Sequence, residues 1–199
     1  MILRHIALTT LVLFAGLWTT WAEATDFTIE PGKDRNLVVF TSKATLETFQ
    51  GKTKQVSGSL SFDPANLGDS VTVRVEVDLA SLDTGMPMRN KHMRENHLET
   101  ATYPKAVFEG GRILEASGHT LNPGDTVRMK LSGRFDLHGV KRTIEVPVDA
   151  TRSKDGLLQV TTHFDVPLAD YKISRPAFLM MKLEPTQHVT VQVTAHPNS

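Results

Sequence analysis

The sequence contains no cysteine among its 199 residues. This absence excludes disulfide bonds, catalytic thiols, thiolate metal sites and a lipid-modified N-terminal cysteine. A chain without disulfides must be held together by its apolar core, and a chain of this length is long enough to form one. The 22 basic and 22 acidic residues balance, so no surplus of positive charge indicates nucleic acid or an anionic membrane as a partner.

Catalytic motifs are also missing from the sequence. It has no nucleophile elbow, phosphate-binding loop, HExxH motif or paired-acid spacing, so we expect neither an enzyme nor a cofactor. The triplet Asp83-Thr84-Gly85 resembles the one that carries the catalytic acid of aspartic proteases, but those enzymes need two carboxylates that share a proton. We interpret the single triplet as a turn, in which Asp or Thr caps backbone amides and Gly supplies a permissive backbone.

Long apolar runs are scarce, and the longest mostly apolar one, Ile6 to Trp18, lies near the N-terminus. Arg4 precedes it and Ala22-Glu23-Ala24 follows it, which is the layout of a secretory signal peptide with its cleavage site. The run is shorter than the ~20 apolar residues that a membrane-spanning helix needs. We therefore predict a cleaved signal peptide in residues 1–24 and one secreted domain, without a membrane segment, in residues 25–199.

Apolar and polar residues alternate in many segments of the remaining chain, as is typical of strands with one buried and one exposed face. The strongest alternation covers residues 71–79, 129–137, 144–148, 158–166 and 189–193, and weaker strands are predicted for 37–42, 54–63 and 103–110. Turn signals separate these segments, and Asp155-Gly156 favours a hairpin turn. About eight antiparallel strands with short connections indicate a sandwich or a closed barrel, and a barrel of that size is about wide enough for one small ligand.

The composition of one segment, residues 87–99, predicts a helix. Pro87 suits a first helical turn, and the residues from Arg89 to Glu99 include no Gly, Pro or β-branched residue. Its apolar face is thin, which favours a helix that lies across a barrel mouth over one buried in a core.

Two spaced motifs resemble the YceI-like family of secreted bacterial proteins. The matching positions are Ser81, Asp83, Thr84, Gly85, Arg89, His92, Tyr103, Pro104 and Phe108 in the first motif, and residues 133–148 in the second. Asn90 stands where the family usually has an acid. The resemblance covers nearly all of residues 26–195. It implies an all-β, eight-stranded antiparallel lipocalin-like barrel with an elongated apolar cavity and one short helix near its mouth.

The same resemblance implies a periplasmic binding or carrier protein for a long-chain apolar ligand, such as a polyisoprenoid, a quinone-type molecule or a fatty amphiphile. We expect inward strand residues and the mouth to contact this ligand, with Arg89, Tyr103 and Arg175 holding a polar head group and Phe178 lying in an apolar run, residues 176–181, that forms either core or cavity rim. The complete predicted set is Phe40, Phe62, Val75, Val77, Met88, Arg89, Met93, Tyr103, Phe108, Phe135, Leu137, Phe164, Val166, Arg175 and Phe178.

Two alternatives stay open. The first is a copper site, because methionine and histidine are suitable soft ligands and five of them, Met86, Met88, His92, Met93 and His97, lie close together in the sequence. Against it, the five-residue spacing of the two histidines does not align them on one α-helical face, and methionines also serve as adaptable lining of apolar cavities. The second alternative is a filled, ligand-free barrel that acts as a stress-response interaction module. The oligomeric state is open, with a homodimer among the options.

Overall fold

The structure is a computed structural model that describes residues 24–44, 47–68, 70–175, 177–178 and 181–198, and of residues 177, 178, 181 and 182 it describes the backbone alone. The predicted signal peptide lies outside these residues, except for Ala24. The elements are β1 (Thr25–Ile29), β2 (Leu37–Lys43), β3 (Thr48–Thr53), β4 (Val56–Phe62), β5 (Ser70–Asp78), a 3-10 turn (Leu79–Ser81), α1 (Pro87–His92), a π-helical turn (Met93–His97), β6 (Lys105–Ala116), β7 (Thr126–Leu137), β8 (Val140–Arg152), β9 (Leu158–Pro167), a 3-10 turn (Leu168–Tyr171), β10 (Ala177–Phe178), β11 (Met181–Lys182) and β12 (Thr186–Pro197).

Eight antiparallel strands form a closed ring in the order β1-β4-β5-β6-β7-β8-β9-β12, with β12 pairing back onto β1. The predicted eight-stranded antiparallel barrel is therefore confirmed. Its membership differs in one place: the first strand of the ring, β1, is too short and too close to the predicted cleavage site to show clear alternation. The predicted strand at residues 37–42 is β2, which belongs with β3 to a hairpin attached to β12.

The strand β12 changes partner along its length. Its first part pairs with β2 as far as Gln192, and its end pairs with β1 from His196 onward. The side chain of Asn36 joins the two parts: its Nδ2 donates to the carbonyl oxygen of Glu30 at 2.7 Å, and its Oδ1 accepts from the amide of Thr194 at 2.9 Å. Asn36 is completely buried, so this polar side chain takes the place of missing backbone pairing where the ring closes.

The strand registers define two different ends of the barrel. One end, the mouth, holds the last residues of β5, β7 and β9 and the first residues of β6, β8 and β12. The other end, the floor, is closed by two loops that bond to each other. The amide of Leu67 donates to the carbonyl oxygen of His119 at 2.9 Å, and that of Leu121 donates to Pro64 at 2.8 Å. Both leucines are buried, so they plug the barrel at the floor.

The chain's described ends meet at the floor. The amide of Asn198 donates to the carbonyl oxygen of Asp26 at 2.8 Å, and the hydroxyl of Thr28 donates to the Asn198 side chain, also at 2.8 Å. These bonds extend the short pairing between β1 and β12 beyond the last strand residue.

The predicted helix lies at the mouth. It begins at Pro87, as expected, and runs to His97, but its second half is a π-helical turn in which the amide of Leu98 donates to the carbonyl oxygen of Met93 at 2.8 Å. The prediction of a short helix near the mouth is confirmed. Among the residues that the structure describes, no helix is long and apolar enough to cross a membrane.

The outer face of β5, β6 and β7 carries a ladder of charges. Glu76 lies between Arg74 and Lys105, with oxygen–nitrogen distances of 2.6 and 2.5 Å, and Glu109 lies between Arg74 and Arg134. The hydrogen bonds from Lys105 and Arg74 hold the pKa of Glu76 below its usual range. Exposed pairs of this kind contribute little individually, so the ladder marks this face as solvated and leaves the stabilisation to the inward side chains.

Candidate functional site: the barrel cavity

The inward side chains of the barrel surround a mostly apolar cavity of about 970 Å³. This volume lies at the upper end of the ~300–1,000 Å³ that ligand pockets commonly have. The ionisable side chains that line it in the described part of the chain are Glu47, Arg89, His92 and His97, and all four lie at the mouth. The cavity is therefore a tube with an apolar interior and a polar rim at one end.

Most of the residues predicted to contact a ligand lie in the wall of this cavity. Those that do are Phe40, Phe62, Val75, Val77, Met88, Arg89, Met93, Phe108, Phe135, Leu137, Phe164 and Val166. For the strand residues among them, the alternation in the sequence correctly separates inward from outward positions. Their contact with a ligand stays a prediction, since position in the wall does not by itself demonstrate binding.

Three predicted residues are placed differently. Tyr103 lies outside the cavity wall, with its ring against Gly139 and tilted over the ring of His138 at a centroid distance of 4.5 Å. Arg175 is exposed, donates to the carbonyl oxygen of Leu183 and is not among the described cavity-lining residues. The side chain of Phe178 lies outside what the structure describes. Of the three predicted head-group residues, Arg89 alone is therefore among the described residues that line the cavity.

Two glycines explain why the large rings in the wall do not fill the tube. Gly133 on β7 faces inward, and a Cβ placed there would lie 2.3 Å from Cζ of Phe108 on the neighbouring strand. In the same way, a Cβ on Gly51 of β3 would lie 2.1 Å from Cε1 of Phe40. Each ring thus covers the backbone of a glycine on the next strand and lies flat against the wall, which leaves the centre of the barrel open.

The mouth half of the barrel carries a cluster of aromatic rings. The ring of Phe135 packs edge-to-face against Phe164, with centroids 5.6 Å apart, and against Tyr171, with centroids 5.5 Å apart. Burial raises the pKa of the Tyr171 hydroxyl. Phe135 itself is buried, and it is held between β9 and the turn that follows, so it is a rigid part of the wall.

Arg89 is held firmly at the rim of the mouth. Its guanidinium lies 3.9 Å from the centroid of the Phe49 ring, pairs with Glu47 at 2.9 Å, and donates to the Thr84 hydroxyl and carbonyl oxygens at 3.0 Å each. A cation over an aromatic face is attracted by the ring quadrupole. The side chain therefore ties the start of the helix to β3, and its charge is already partly neutralised by Glu47.

The Asp83-Thr84-Gly85 triplet is a turn, as predicted. The Asp83 carboxylate accepts from the Gly85 amide at 2.9 Å and from the Asn90 side-chain amide at 2.6 Å, and these bonds lower its pKa. Asn90 also accepts from the amide and hydroxyl of Thr84, at 2.8 and 2.7 Å. Because Asn90 both donates and accepts here, an acid at this position would face the Asp83 carboxylate without a proton to share.

The methionine–histidine segment lines the mouth. All five residues of the alternative copper site lie there, with Met86 51% and Met88 63% exposed. The π-helical turn changes the spacing argument, because residues five apart lie over one another in such a turn. Burial lowers the pKa of His97, and the neighbouring charge of His92 lowers it further. No group of three or more His, Asp or Glu side chains in the described residues is arranged to hold a metal ion.

Several lining residues were not predicted. Val189, Val191 and Val193 of β12 lie in the wall, and their alternation in the sequence was a sufficient signal to include them. Leu67 and Leu121 of the floor had no such signal, because they lie in loops where no periodicity indicates which way a side chain points. Phe49 of β3 was missed together with its strand.

Known proteins match part of this chain in sequence. A UPF0312 protein of Vibrio parahaemolyticus is 28% identical over 130 residues, which are 64% of this chain and 64% of the relative. A UPF0312 protein of Shewanella is 32% identical over 101 residues, 50% of this chain and 48% of the relative. The chain thus matches less than two thirds of the length of these relatives.

Solved structures share the barrel. A polyisoprenoid binding domain from Saccharophagus degradans, implicated in plant cell wall breakdown, superposes with a TM-score of 0.68 at 19% identity, covering 86% of this chain and 98% of that one. BcnA of Burkholderia cenocepacia superposes with a TM-score of 0.66 at 19% identity, covering 81% and 96%. The family model described as the YceI-like domain matches residues 27–195, nearly the whole ring of strands, and the chain therefore belongs to the YceI-like family.

Proposed function

We propose that this protein binds a single long apolar chain, of the polyisoprenoid, quinone-type or fatty amphiphile class, inside the barrel and carries it through the periplasm. The observation that supports this most is the apolar tube, whose ionisable lining groups in the described part of the chain are confined to one end. A ligand with an apolar chain and a polar head matches that distribution. The Saccharophagus neighbour, a polyisoprenoid binding domain, points to the same ligand class.

The apolar interior favours affinity that grows with chain length. Each methylene that leaves water for such an environment contributes ~0.8 kcal/mol. The glycine-backed rings of Phe40 and Phe108 keep the tube open, so a bound flexible chain can occupy it without displacing those rings. The head group would then lie at the rim near Arg89, where the remaining donors of the guanidinium and the exposed methionines meet solvent.

The periplasmic location of this proposal rests on the sequence. The N-terminal segment has a positively charged start, an apolar run and small residues at a cleavage site. The absence of cysteine makes the domain's stability independent of disulfide formation. N-terminal sequencing of the exported protein tests the cleavage after Ala24, and an uncleaved N-terminus would contradict it.

Native mass spectrometry of gently purified protein tests the cavity proposal. The expected result is a retained lipid that is released on unfolding. Phe135→Trp should reduce retention strongly, because the larger ring projects into the tube where Phe135 already packs against Phe164 and Tyr171. The matched control is Val107→Trp, which adds the same group on the outward side of β6 and should retain lipid as the natural protein does.

The same measurement separates the alternatives. A stoichiometric copper ion that is lost on substitution of Met93 and His97 would favour the metal site at the mouth, where both residues line the cavity. Protein that carries neither lipid nor metal, and that takes up no isoprenoid alcohol on incubation, would contradict the carrier and favour an interaction module.

A further inference from the structure

The barrel wall contains a gap between β8 and β9. The two strands pair from Val148–Thr162 to Arg152–Leu158, toward the floor. Toward the mouth, residues 140–147 of β8 and 163–167 of β9 are fully described and show no strand pairing with each other. Their other neighbours, β7 and β12, are paired along the whole length of these segments. The ring is therefore continuous at the floor and open along one seam in its mouth half.

The gap is bounded at both ends and forms a window. At its floor side, the hydroxyl of Thr162 donates to the carbonyl oxygen of Pro147 at 2.6 Å, and Pro147 has no amide hydrogen with which to extend a ladder. At its mouth side, the Leu168–Tyr171 turn crosses from β9 toward β8. His138 Nδ1 lies 3.1 Å from the Tyr171 carbonyl oxygen. The guanidinium of Arg142 lies 3.5 Å from both the carboxylate and the carbonyl oxygen of Asp170.

The window lies directly outside the cavity. On the outer surface it forms a groove lined by Ile144, Glu145, Pro147, His163, Phe164, Asp165, His188, Val189 and Thr190. Two of these side chains, Phe164 and Val189, also line the central cavity. Phe164 is only partly buried, and its ring contacts Phe135 inside the barrel. A few apolar side chains, with no backbone ladder, therefore separate the cavity from the surface here.

We propose that this window is a lateral portal through which the apolar chain of the ligand enters and leaves the cavity. The inference rests on the proposed function and adds a route to it. Along the other strand pairs of the ring, apart from the short β1–β12 closure at the floor, sideways opening would break a series of backbone hydrogen bonds, each costly to leave unmade. At the window it requires Phe164 to change rotamer and the Arg142–Asp170 contact, here called the latch, to release. A long flexible chain can then slip in along its length, without being threaded end-on past Arg89.

A staple across the window tests the portal. Because the natural chain has no cysteine, Glu145→Cys/Asp165→Cys can be bridged selectively with a short bis-maleimide; continuing the strand register would place these two residues opposite each other. Both line the outer groove and neither lines the cavity. The matched control is Asp149→Cys/Thr161→Cys, bridged by the same reagent. These two residues lie opposite each other where β8 and β9 are paired.

Binding and exchange are measured by stopped-flow fluorescence with cis-parinaric acid as the probe. The window staple should slow association and dissociation by about tenfold or more relative to the stapled control, with similar equilibrium affinity, because it hinders the route and leaves the cavity intact. Equal rates in the two stapled proteins would overturn the portal while leaving the carrier proposal standing. Failure of the unmodified protein to bind the probe would overturn both.

Release of the latch provides a second test that adds no bulk. Arg142→Met keeps most of the aliphatic stem and removes both contacts to Asp170, so exchange should become faster, by up to about fivefold for an exposed pair. The control is Arg128→Met, which removes an exposed pair with Asp149 away from the window. If the staple cannot be formed, this comparison decides, and an exchange rate for Arg142→Met no higher than the control's would overturn the portal.

Discussion

The hollow interior depends on single residues, and Gly133 shows how. Its inward position in β7 is covered by the ring of Phe108, so the absence of a side chain on one strand is compensated by a large one on the next. The same relation holds between Gly51 and Phe40. An inward glycine in a barrel strand therefore acts here as the recess that keeps an aromatic ring out of the ligand's path.

Gly133→Ala should weaken binding of cis-parinaric acid while leaving the barrel folded. The new methyl group would lie 2.3 Å from the Phe108 ring, so the ring must turn into the cavity, and overpacking of this kind costs about 1–3 kcal/mol of stability. Fluorescence titration measures the affinity. Adding Phe108→Leu to the variant should restore much of the binding, and Gly118→Ala, whose methyl group would meet ordinary contacts at 3.7 Å, is the control. Unchanged affinity of Gly133→Ala would show that the ring has another place to go.

At the scale of elements, the closure of the ring depends on the junction in β12. Asn36→Ala removes a completely buried side chain whose Oδ1 accepts from the Thr194 amide. Leaving a buried backbone donor without a partner costs about 1–3 kcal/mol, and the free energy of unfolding should fall by that amount. Urea denaturation followed by circular dichroism measures it. The exposed Asn66→Ala should change it little, and an equally small change for Asn36→Ala would mean that water replaces the lost acceptor.

Strands were predictable from the sequence where one face of the strand is buried and the other is exposed to solvent. Residues 71–79 and 129–137 show this alternation without interruption, and β5 and β7 lie there. By contrast, the sequence of β3 shows no clear apolar alternation, because its inward position 51 is a glycine. The Phe40 ring of β2 fills the space that a side chain at position 51 would take. The window was also beyond sequence reasoning, since β8 and β9 each alternate regularly and the loss of pairing between them appears only in three dimensions.

The positions of residues in the wall were more predictable from the sequence than the positions of residues at the mouth. Inward side chains such as Val77 and Phe135 follow from strand periodicity, but rim residues depend on how loops and the helix fold over the end. Tyr103 was expected to hold a head group, and its ring instead packs on Gly139 and His138, outside the cavity wall. The argument that His92 and His97 do not share one helical face assumed an α-helix throughout. The structure instead has a π-helical turn from Met93 to His97, so that argument does not apply there.

At the scale of the whole molecule, an open tube through the barrel predicts a stability that depends on its ligand. A ligand that binds the folded state alone stabilises it by about 2.7 kcal/mol at a free concentration of one hundred times its Kd. For a domain of this size, that corresponds to a rise in Tm of roughly 5–10 °C. Differential scanning calorimetry of delipidated protein, with and without cis-parinaric acid, measures the rise.

The control for this measurement is Phe135→Trp, whose cavity is obstructed and whose Tm should respond little to the probe. A rise as large as that of the natural protein would show that the probe stabilises the barrel from outside the tube. Stabilisation of the natural protein that saturates at one probe per chain would agree with a single cavity of about 970 Å³.

The meeting of Asp26 and Asn198 at the floor has a practical consequence for such measurements. A biotin or affinity handle fused after the last residue attaches the molecule to a sensor surface by its plugged end. The mouth, with the helix and the exposed methionines, then faces the flowing solution, and so does the seam between β8 and β9. Every immobilised copy therefore presents the same accessible end to vesicles or detergent micelles that deliver the ligand.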